Sequence, residues 1–268
     1  MTRRSVLQAL RQWTRLDPPW WREVCAYYGV TRRRAVTLGR RQRGRRPAFP
    51  GGPSGLTYEE IWARAPRETA EQIAAFYRDL GPWPVFRQAL RRRYGAWPDV
   101  ARDLPRGGTL LEYGCGIAPV TAWLERRRRD FRAVLVDVPG HALDFAVWRL
   151  RSRRDDLVEP AVAFLTLNPL CLDLATVGLY DVAVVSEVLE HVVSPLSVMQ
   201  SVVSGLCPGG VLYEDFTAHA GDGSPADLPS AQAERTDLYL WLFRHATLTR
   251  GAHPLGAEPG GVRRWVAP

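Results

Sequence analysis

The sequence predicts an α/β fold: a mostly parallel sheet flanked by helices, preceded by an N-terminal helical extension. Three observations carry this reading. From residue 107 short apolar runs alternate with helical stretches, and that alternation gives parallel strands covered on both faces. A glycine turn, Gly114-Cys115-Gly116, follows the first run, where a strand must reverse sharply into its crossover helix. Ahead of residue 107 the apolar residues recur at helical spacing instead. A length of 268 residues suits one large domain or one domain with an appendage. The apolar share of 46% and charged share of 24% exclude global disorder.

Residues 1–46 read as a basic helical arm. LQALRQW is followed by a break at Asp17-Pro18-Pro19, and the next stretch spaces Val24, Tyr28, Val30, Ala35 and Leu38 at helical intervals around Gly29. A glycine between two short helices resembles a helix-turn-helix, but any two-helix hairpin needs a turn glycine, and the reading taken is a helical cap or docking arm. The arm holds 13 arginines against Asp17 and Glu23, whereas the rest of the chain holds 23 arginines against 26 acids. No lysine occurs anywhere, so a coding bias toward arginine explains the abundance but not the missing acids. The positive charge therefore belongs to the arm, which would suit an acidic partner or a nucleic acid.

Residues 47–55 form a Pro/Gly linker. Residues 56–105 read as a helical lid or substrate block: Thr57 and Glu60 have capping-box spacing, Ile61, Ile73, Phe76, Tyr77 and Leu80 follow, and PVFRQAL continues the pattern. Six of the ten tryptophans precede residue 100, which fits packing on the main domain or an aromatic-lined pocket.

The core is assigned to residues 106–268. Its strands are TLLEY, AVLVD, VAFLT, DVAVVS and GVLYEDF, and a helix over DLPSAQAERTDLYLWLFR leads to a final pair, HATLTR and GVRRWV. Ligands in such sheets bind beyond the carboxyl ends of the strands. There Gly114 and Gly116 let a ligand approach bare backbone, and Asp137, 21 residues after Gly116, ends the second strand where a carboxylate can accept two bonds from a ribose diol. Proline at 119, where a dinucleotide fingerprint has its third glycine, argues against a dinucleotide cofactor.

Four dispersed cysteines give neither a disulfide framework nor a zinc knuckle, and a reducing cytoplasm is expected. No apolar run has signal-peptide or membrane-spanning length, so no membrane partner is expected. Glu190-His191 lacks a further ligand at metal spacing, and no metal site is expected. Asp181 reads as a capping residue, Cys115 as packing in the turn, and the arginine run 126–129 as a solvated helix end.

LEYGCGIAP, YDVAVVSEVLEHVVSP and LCPGGVLYEDF, in this order and spacing, resemble the first, post-strand-four and strand-five motifs of class I S-adenosylmethionine-dependent methyltransferases. The resemblance covers roughly residues 107–216 and implies a Rossmann-like seven-stranded, mostly parallel sheet with S-adenosylmethionine as cofactor. It implies that Gly114 and Gly116 admit the methionine part, with Glu112 organising the turn or meeting the amino group. Asp137 would hold the ribose hydroxyls, Val138 would touch the adenine face, and Asn168 or Asp173 would face the adenine edge. Ser186 and Glu187 would lie beside the reactive methyl.

A hydroxyl acceptor needs a base, whereas a neutral amine needs none. Base candidates are His219 and Asp215, then His245 and Tyr213. With only 52 residues after Phe216, acceptor selection falls to residues 1–105. The expected activity is methyl transfer to a small biosynthetic or secondary metabolite. Two alternatives stand beside it: RNA methylation using the arginine arm, and a non-catalytic assembly role on the same fold.

Overall fold

The computed structural model describes residues 20–39, 61, 64–90, 97–151, 162–165, 178–216, 227–256 and 261–268. Among the described residues the sheet contains seven strands: β1 (Thr109–Tyr113), β2 (Arg132–Val136), β3 (Val162–Leu165), β4 (Tyr180–Val185), β5 (Leu206–Glu214), β6 (Thr247–Arg250) and β7 (Arg263–Val266). Their spatial order is β3-β2-β1-β4-β5-β7-β6. The first five run parallel, while β7 is antiparallel to both β5 and β6.

The buried positions of β1, β2 and β4 are almost wholly apolar, as a sheet covered on both faces requires. Chain order reverses between β1 and β4, since β2 and β3 lie to one side of β1 and β4 and β5 to the other. That switch opens a crevice at the strand ends. Register brings those ends level: Tyr113 pairs with Val136 and Val185, and Val185 pairs with Glu214. One residue further on, Gly114, Asp137, Ser186 and Asp215 therefore emerge along one edge.

Helices α1 (Trp21–Tyr28), α2 (Arg32–Gly39), α3 (Ala70–Asp79), α4 (Trp83–Leu90) and α5 (Trp97–Asp103) precede the sheet. Gly29 ends α1 in the left-handed region at φ 61°, and its N–H bonds back to the carbonyl of Cys25. The expected turn glycine thus joins two helices, and these pack inward. Val24, Ala35 and Leu38 share one buried cluster with Val85, Phe86, Trp97, Val100 and the strand residues Val182 and Val211. Trp20 stacks on Trp97, which also meets Trp123. Residues 20–39 thus pack as a helical cap, one of the readings that the turn glycine allows. The capping-box pair Thr57 and Glu60 and the linker 47–55 lie outside the described residues. Within the block that follows, Thr69 and Gln72 form a capping box at the start of α3.

After the sheet begins come α6 (Pro119–Glu125), α7 (His141–Arg151), α8 (Pro195–Ser204) and α9 (Pro229–His245). The run 126–129 is not a uniformly solvated helix end. Arg126 pairs with Glu23 at 2.8 Å, Arg127 lies 3.7 Å over the Trp123 ring, and Arg128 donates to the carbonyls of Leu104 and Pro105. Short helices and loops leave carbonyls exposed that these guanidinium forks satisfy. Asp181, within β4, accepts the Thr109 N–H at 2.7 Å and so ties down the start of β1 rather than a turn of its own strand.

Beneath the crevice, Glu214 and Arg263 form a wholly buried ion pair. Glu214 also accepts from the Tyr239 hydroxyl, the Trp265 indole and the Phe216 N–H. Arg263 donates further to the Phe216 carbonyl. Such a pair is tolerated in the core because every remaining lone pair finds a donor. It fixes the end of β5, and with it the neighbouring Asp215. Among the described residues no helix is long and apolar enough to cross a membrane.

Candidate active site

β1 ends in the glycine turn. Gly114 and Gly116 have φ of 62° and 52°, values that glycine adopts without strain. A Cβ on Gly114 would lie 2.2 Å from Val188, and one on Gly116 would lie 2.4 Å from Gln88. Ala118 continues the turn at φ 49°, and α6 begins at Pro119, which has no N–H to leave unpaired.

The first orphan donors of α6 are met by Glu112. Its carboxylate accepts from Val120 N–H, Thr121 N–H and the Thr121 hydroxyl at 3.0, 2.9 and 2.7 Å. Burial pushes Glu112 upward in pKa, and these three bonds pull it back. Of the two roles expected for Glu112, organising the turn is the one its bonds display. On the other side of the turn, the wholly buried Arg149 donates to the carbonyls of Ile117 and Ala118. Arg149 also lies 3.6 Å from Glu23 and 4.7 Å over the Trp20 ring, which ties α1 to the turn.

Asp137 follows β2 as expected. It accepts the Gly116 N–H on Oδ2 and the Val138 N–H on Oδ1 at 2.7 Å. Burial raises its carboxyl to about 6, against the pull of those two donors. Each carboxylate oxygen retains acceptor capacity, since an ionised carboxylate offers about four lone-pair sites.

At the end of β4, Ser186 and Glu187 are exposed and held by Asp215. The Ser186 hydroxyl donates to Oδ2 and the Glu187 N–H to Oδ1, both at 2.6 Å. This tether holds Glu187 at φ 53°, an unfavourable conformation for a residue with a side chain. Asp215, expected as a base, is thus first a bracket between β4 and β5, with its pKa raised by burial.

Two adjoining cavities open along this edge. The larger, about 230 Å³, is walled by Asp137, Val138, Tyr77, His191, Val193 and Ser197 among others. The smaller, about 150 Å³, is walled by Glu112, Ser186, Tyr213, Asp215, Trp97 and Val262 among others. Gln88, Tyr113, Gly114, Gly116 and Glu187 border both.

The expected residues Glu112, Gly114, Gly116, Asp137, Val138, Ser186, Glu187 and Asp215 are therefore gathered here. Asn168, Asp173 and His219 lie outside the described residues. His245 sits exposed at the end of α9, stacked on Trp241, and borders neither cavity. The Tyr213 hydroxyl donates to Asp103, which holds it in a network with Arg264. Cys115 is buried, and burial keeps its thiol protonated. Among the described residues no group of three or more His, Cys, Asp or Glu side chains is arranged to hold a metal ion.

Gln88 was not anticipated. Its Oε1 accepts the Ile117 N–H at 3.0 Å, so α4 braces the glycine turn from above. The signal available in the sequence is its spacing: Gln88 stands three residues after the buried Val85 on an otherwise apolar face.

A profile of the methyltransferase domain family matches residues 86–257. No curated protein sequence matches the chain. Several solved structures are similar to it. The N-methyltransferase NodS from Bradyrhizobium japonicum WM9, in complex with S-adenosyl-L-homocysteine, is 19% identical with a TM-score of 0.44, the match covering 60% of this chain and 78% of that one. The 1,6-didemethyltoxoflavin-N1-methyltransferase from Burkholderia thailandensis is 19% identical with a TM-score of 0.45, covering 64% and 76%. A SAM-dependent methyltransferase from Aquifex aeolicus is 15% identical with a TM-score of 0.44, covering 64% and 88%. By its profile match and the motifs at its strand ends, the chain belongs to the methyltransferase domain family, as an S-adenosylmethionine-dependent enzyme of Rossmann-like α/β fold.

Proposed function

We propose that this enzyme methylates a small molecule in the paired cavities, with the helices ahead of the sheet serving as an N-terminal extension that covers them. The observation that carries this reading is the level row Gly114, Asp137, Ser186 and Asp215, along which the two cavities adjoin. S-adenosylmethionine supplies a methyl group on a sulfonium, which leaves as a neutral thioether when an acceptor attacks in line.

The remaining work belongs to the chain. Gly114 and Gly116 give the methionine part access to backbone, braced by Gln88, Glu112 and Arg149 from three sides. Asp137 takes the ribose hydroxyls and Val138 the adenine face, with Asn168 or Asp173 at the adenine edge. Ser186 and Glu187 border the methyl, and the smaller cavity receives the acceptor. Positioning two reactants and excluding water supplies most of the rate in such a transfer. Asp215 and His219 stand as candidates to relay an acceptor proton. Isothermal titration with S-adenosylhomocysteine tests the assignment: wild type binds one equivalent, and Asp137→Ala weakens binding at least tenfold. Equal binding by both overturns it.

A second reading rests on Arg32, Arg33 and Arg34, all exposed at the start of α2. An RNA acceptor would meet them through phosphates, and affinity would then fall steeply with salt. RNA binding that is negligible near physiological salt removes this reading. An acidic protein partner would use the same arginines.

A further inference from the structure

We propose that Tyr113, the last residue of β1, is a cofactor-binding residue whose hydroxyl donates a hydrogen bond to a ribose hydroxyl of S-adenosylmethionine. The proposal rests on the methyltransferase reading of the site and adds a donor opposite the Asp137 acceptor.

Four tyrosines are buried among the described residues: Tyr113, Tyr180, Tyr213 and Tyr239. Three of them spend their hydroxyls inside the protein. Tyr180 donates to the Val202 carbonyl, Tyr213 to Asp103, and Tyr239 to Glu214 at 2.9 Å. Tyr113 is only 4% exposed, yet among the described residues its hydroxyl has no hydrogen-bond partner. A phenol taken out of water ordinarily finds a partner, because leaving its hydroxyl unmet costs free energy. Nor is this hydroxyl sealed in the core. It keeps access to open space, and the open space that Tyr113 borders is the two cavities.

The position of Tyr113 on the sheet identifies what it meets. Tyr113 pairs with Val136 and shares a buried cluster with it, and Asp137 is the residue after Val136. Asp137 and Val138 border only the larger cavity, whereas Glu112 and Ser186 border only the smaller. A cofactor with adenine towards Val138 and methionine towards Glu112 leaves its ribose at the junction. Of the residues that border both cavities, Gly114 and Gly116 bring no side chain and Glu187 brings a carboxyl group. The Gln88 carboxamide lies against Gly116 on the methionine side, with its Oε1 taken by the Ile117 N–H. Tyr113 is thus the side-chain donor beside the ribose.

The chemistry of the ribose calls for such a donor. Each hydroxyl has one proton to give and lone pairs to fill. Once the proton goes to Asp137, the oxygen still lacks a donor, and a phenol supplies it. Burial, then the charge of Asp137, holds the Tyr113 hydroxyl above the ordinary tyrosine range, so it stays protonated and adds no second negative charge. A ribose hydroxyl bridging Tyr113 and Asp137 ties the ends of β1 and β2 through the cofactor, and a deoxyribose cannot.

The test uses the full-length protein and three ligands: S-adenosylhomocysteine and its 2′-deoxy and 3′-deoxy analogues. Tyr113→Phe removes the hydroxyl and keeps the ring. Calorimetric titration should show S-adenosylhomocysteine binding about three- to tenfold more weakly, the worth of one neutral hydrogen bond. For one of the deoxy analogues the same substitution should change affinity less than about twofold, because the contacted oxygen is then gone; for the other it should keep its full effect. The melting temperature of the unliganded variant should stay within about 2 °C of wild type, since the hydroxyl has no protein partner to lose. An equal loss for all three ligands overturns the proposal, as the contact would then lie elsewhere on the cofactor. A loss below about twofold for S-adenosylhomocysteine overturns it as well, and so does a larger drop in melting temperature, which would make the hydroxyl a support of the fold. Should the analogues bind too weakly to rank, a crystal structure with S-adenosylhomocysteine decides: the Tyr113 Oη within about 3.2 Å of a ribose hydroxyl supports the proposal, and a longer separation overturns it. Failure of wild type to bind S-adenosylhomocysteine contradicts the methyltransferase reading itself; binding that ignores Tyr113→Phe contradicts only the role of this residue.

Discussion

Replacing Asp137 by asparagine separates what this carboxylate does for the cofactor from what it costs the fold. An ordinary aspartate titrates near 4, whereas burial holds Asp137 at about 6. Between those values the unfolded chain releases a proton that the folded chain keeps. The group's contribution therefore falls as pH rises from about 4 to about 6 and stays low above that, a cost of about 3 kcal/mol at neutral pH. Asparagine is never charged and removes the cost. It also turns one acceptor oxygen into a donor, leaving either the Gly116 or the Val138 N–H unmet for about 1–3 kcal/mol. The two terms offset each other, so the melting temperature at pH 7.5 should stay within about 5 °C of wild type. Relative to wild type, the variant should gain about 1–2 kcal/mol between pH 5 and pH 7.5. Cofactor affinity behaves differently. Losing one bond to a charged group costs about 1.5–3 kcal/mol, so S-adenosylhomocysteine should bind about 10- to 150-fold more weakly at pH 7.5. Calorimetric titration and thermal melts at the two pH values measure both. An affinity within twofold of wild type, or melting lowered by more than about 10 °C, refutes this reasoning.

Four further substitutions probe the supports of the site. Gly116→Ala forces a side chain into a left-handed conformation and a Cβ against Gln88, so it should cost about 2 kcal/mol and weaken S-adenosylhomocysteine binding at least tenfold. Adding Gln88→Ala should restore part of the stability but not all, as thermal melts would show. Arg149→Met leaves the buried Ile117 and Ala118 carbonyls without their donor while Glu23 keeps Arg126, and urea denaturation should register a loss of about 2–4 kcal/mol. Glu214→Gln uncouples the buried pair with Arg263 and should cost about 3–5 kcal/mol by the same measurement.

The parts of the site legible in the sequence are those whose role is local. Gly114 and Gly116 read as a strand-to-helix turn because glycine is needed there, Asp137 reads from its place at a strand end, and Glu112 enters only through the resemblance of LEYGCGIAP to the family's first motif. The parts that were not legible depend on pairing across long separations. Gln88 meets Ile117 across 29 residues, Arg149 meets Ala118 across 31, and Arg126 meets Glu23 across 103. No periodicity encodes such pairs, because each follows from how helices settle on the sheet. Charge misled for a related reason. Counting arginines in residues 1–46 places the positive charge but not the helices that carry it, and burial of Val24, Ala35 and Leu38 decides where residues 20–39 lie. The arginines 126–129 read as solvated for the same reason, whereas three of the four serve as tethers or stack on a ring. Asp215 was visible as a carboxylate beyond β5, but its bracing of Ser186 and Glu187 needed the register of β4 against β5.

The central claim is that one cofactor lies across the aligned strand ends, and a crystal structure of the full-length protein with S-adenosylhomocysteine tests it most directly. The account predicts ribose hydroxyls within hydrogen-bond distance of the Asp137 carboxylate and the thioether sulfur facing Ser186 and Glu187. S-adenosylhomocysteine bound away from Gly114, Gly116 and Asp137, or no binding at millimolar concentration, would contradict it.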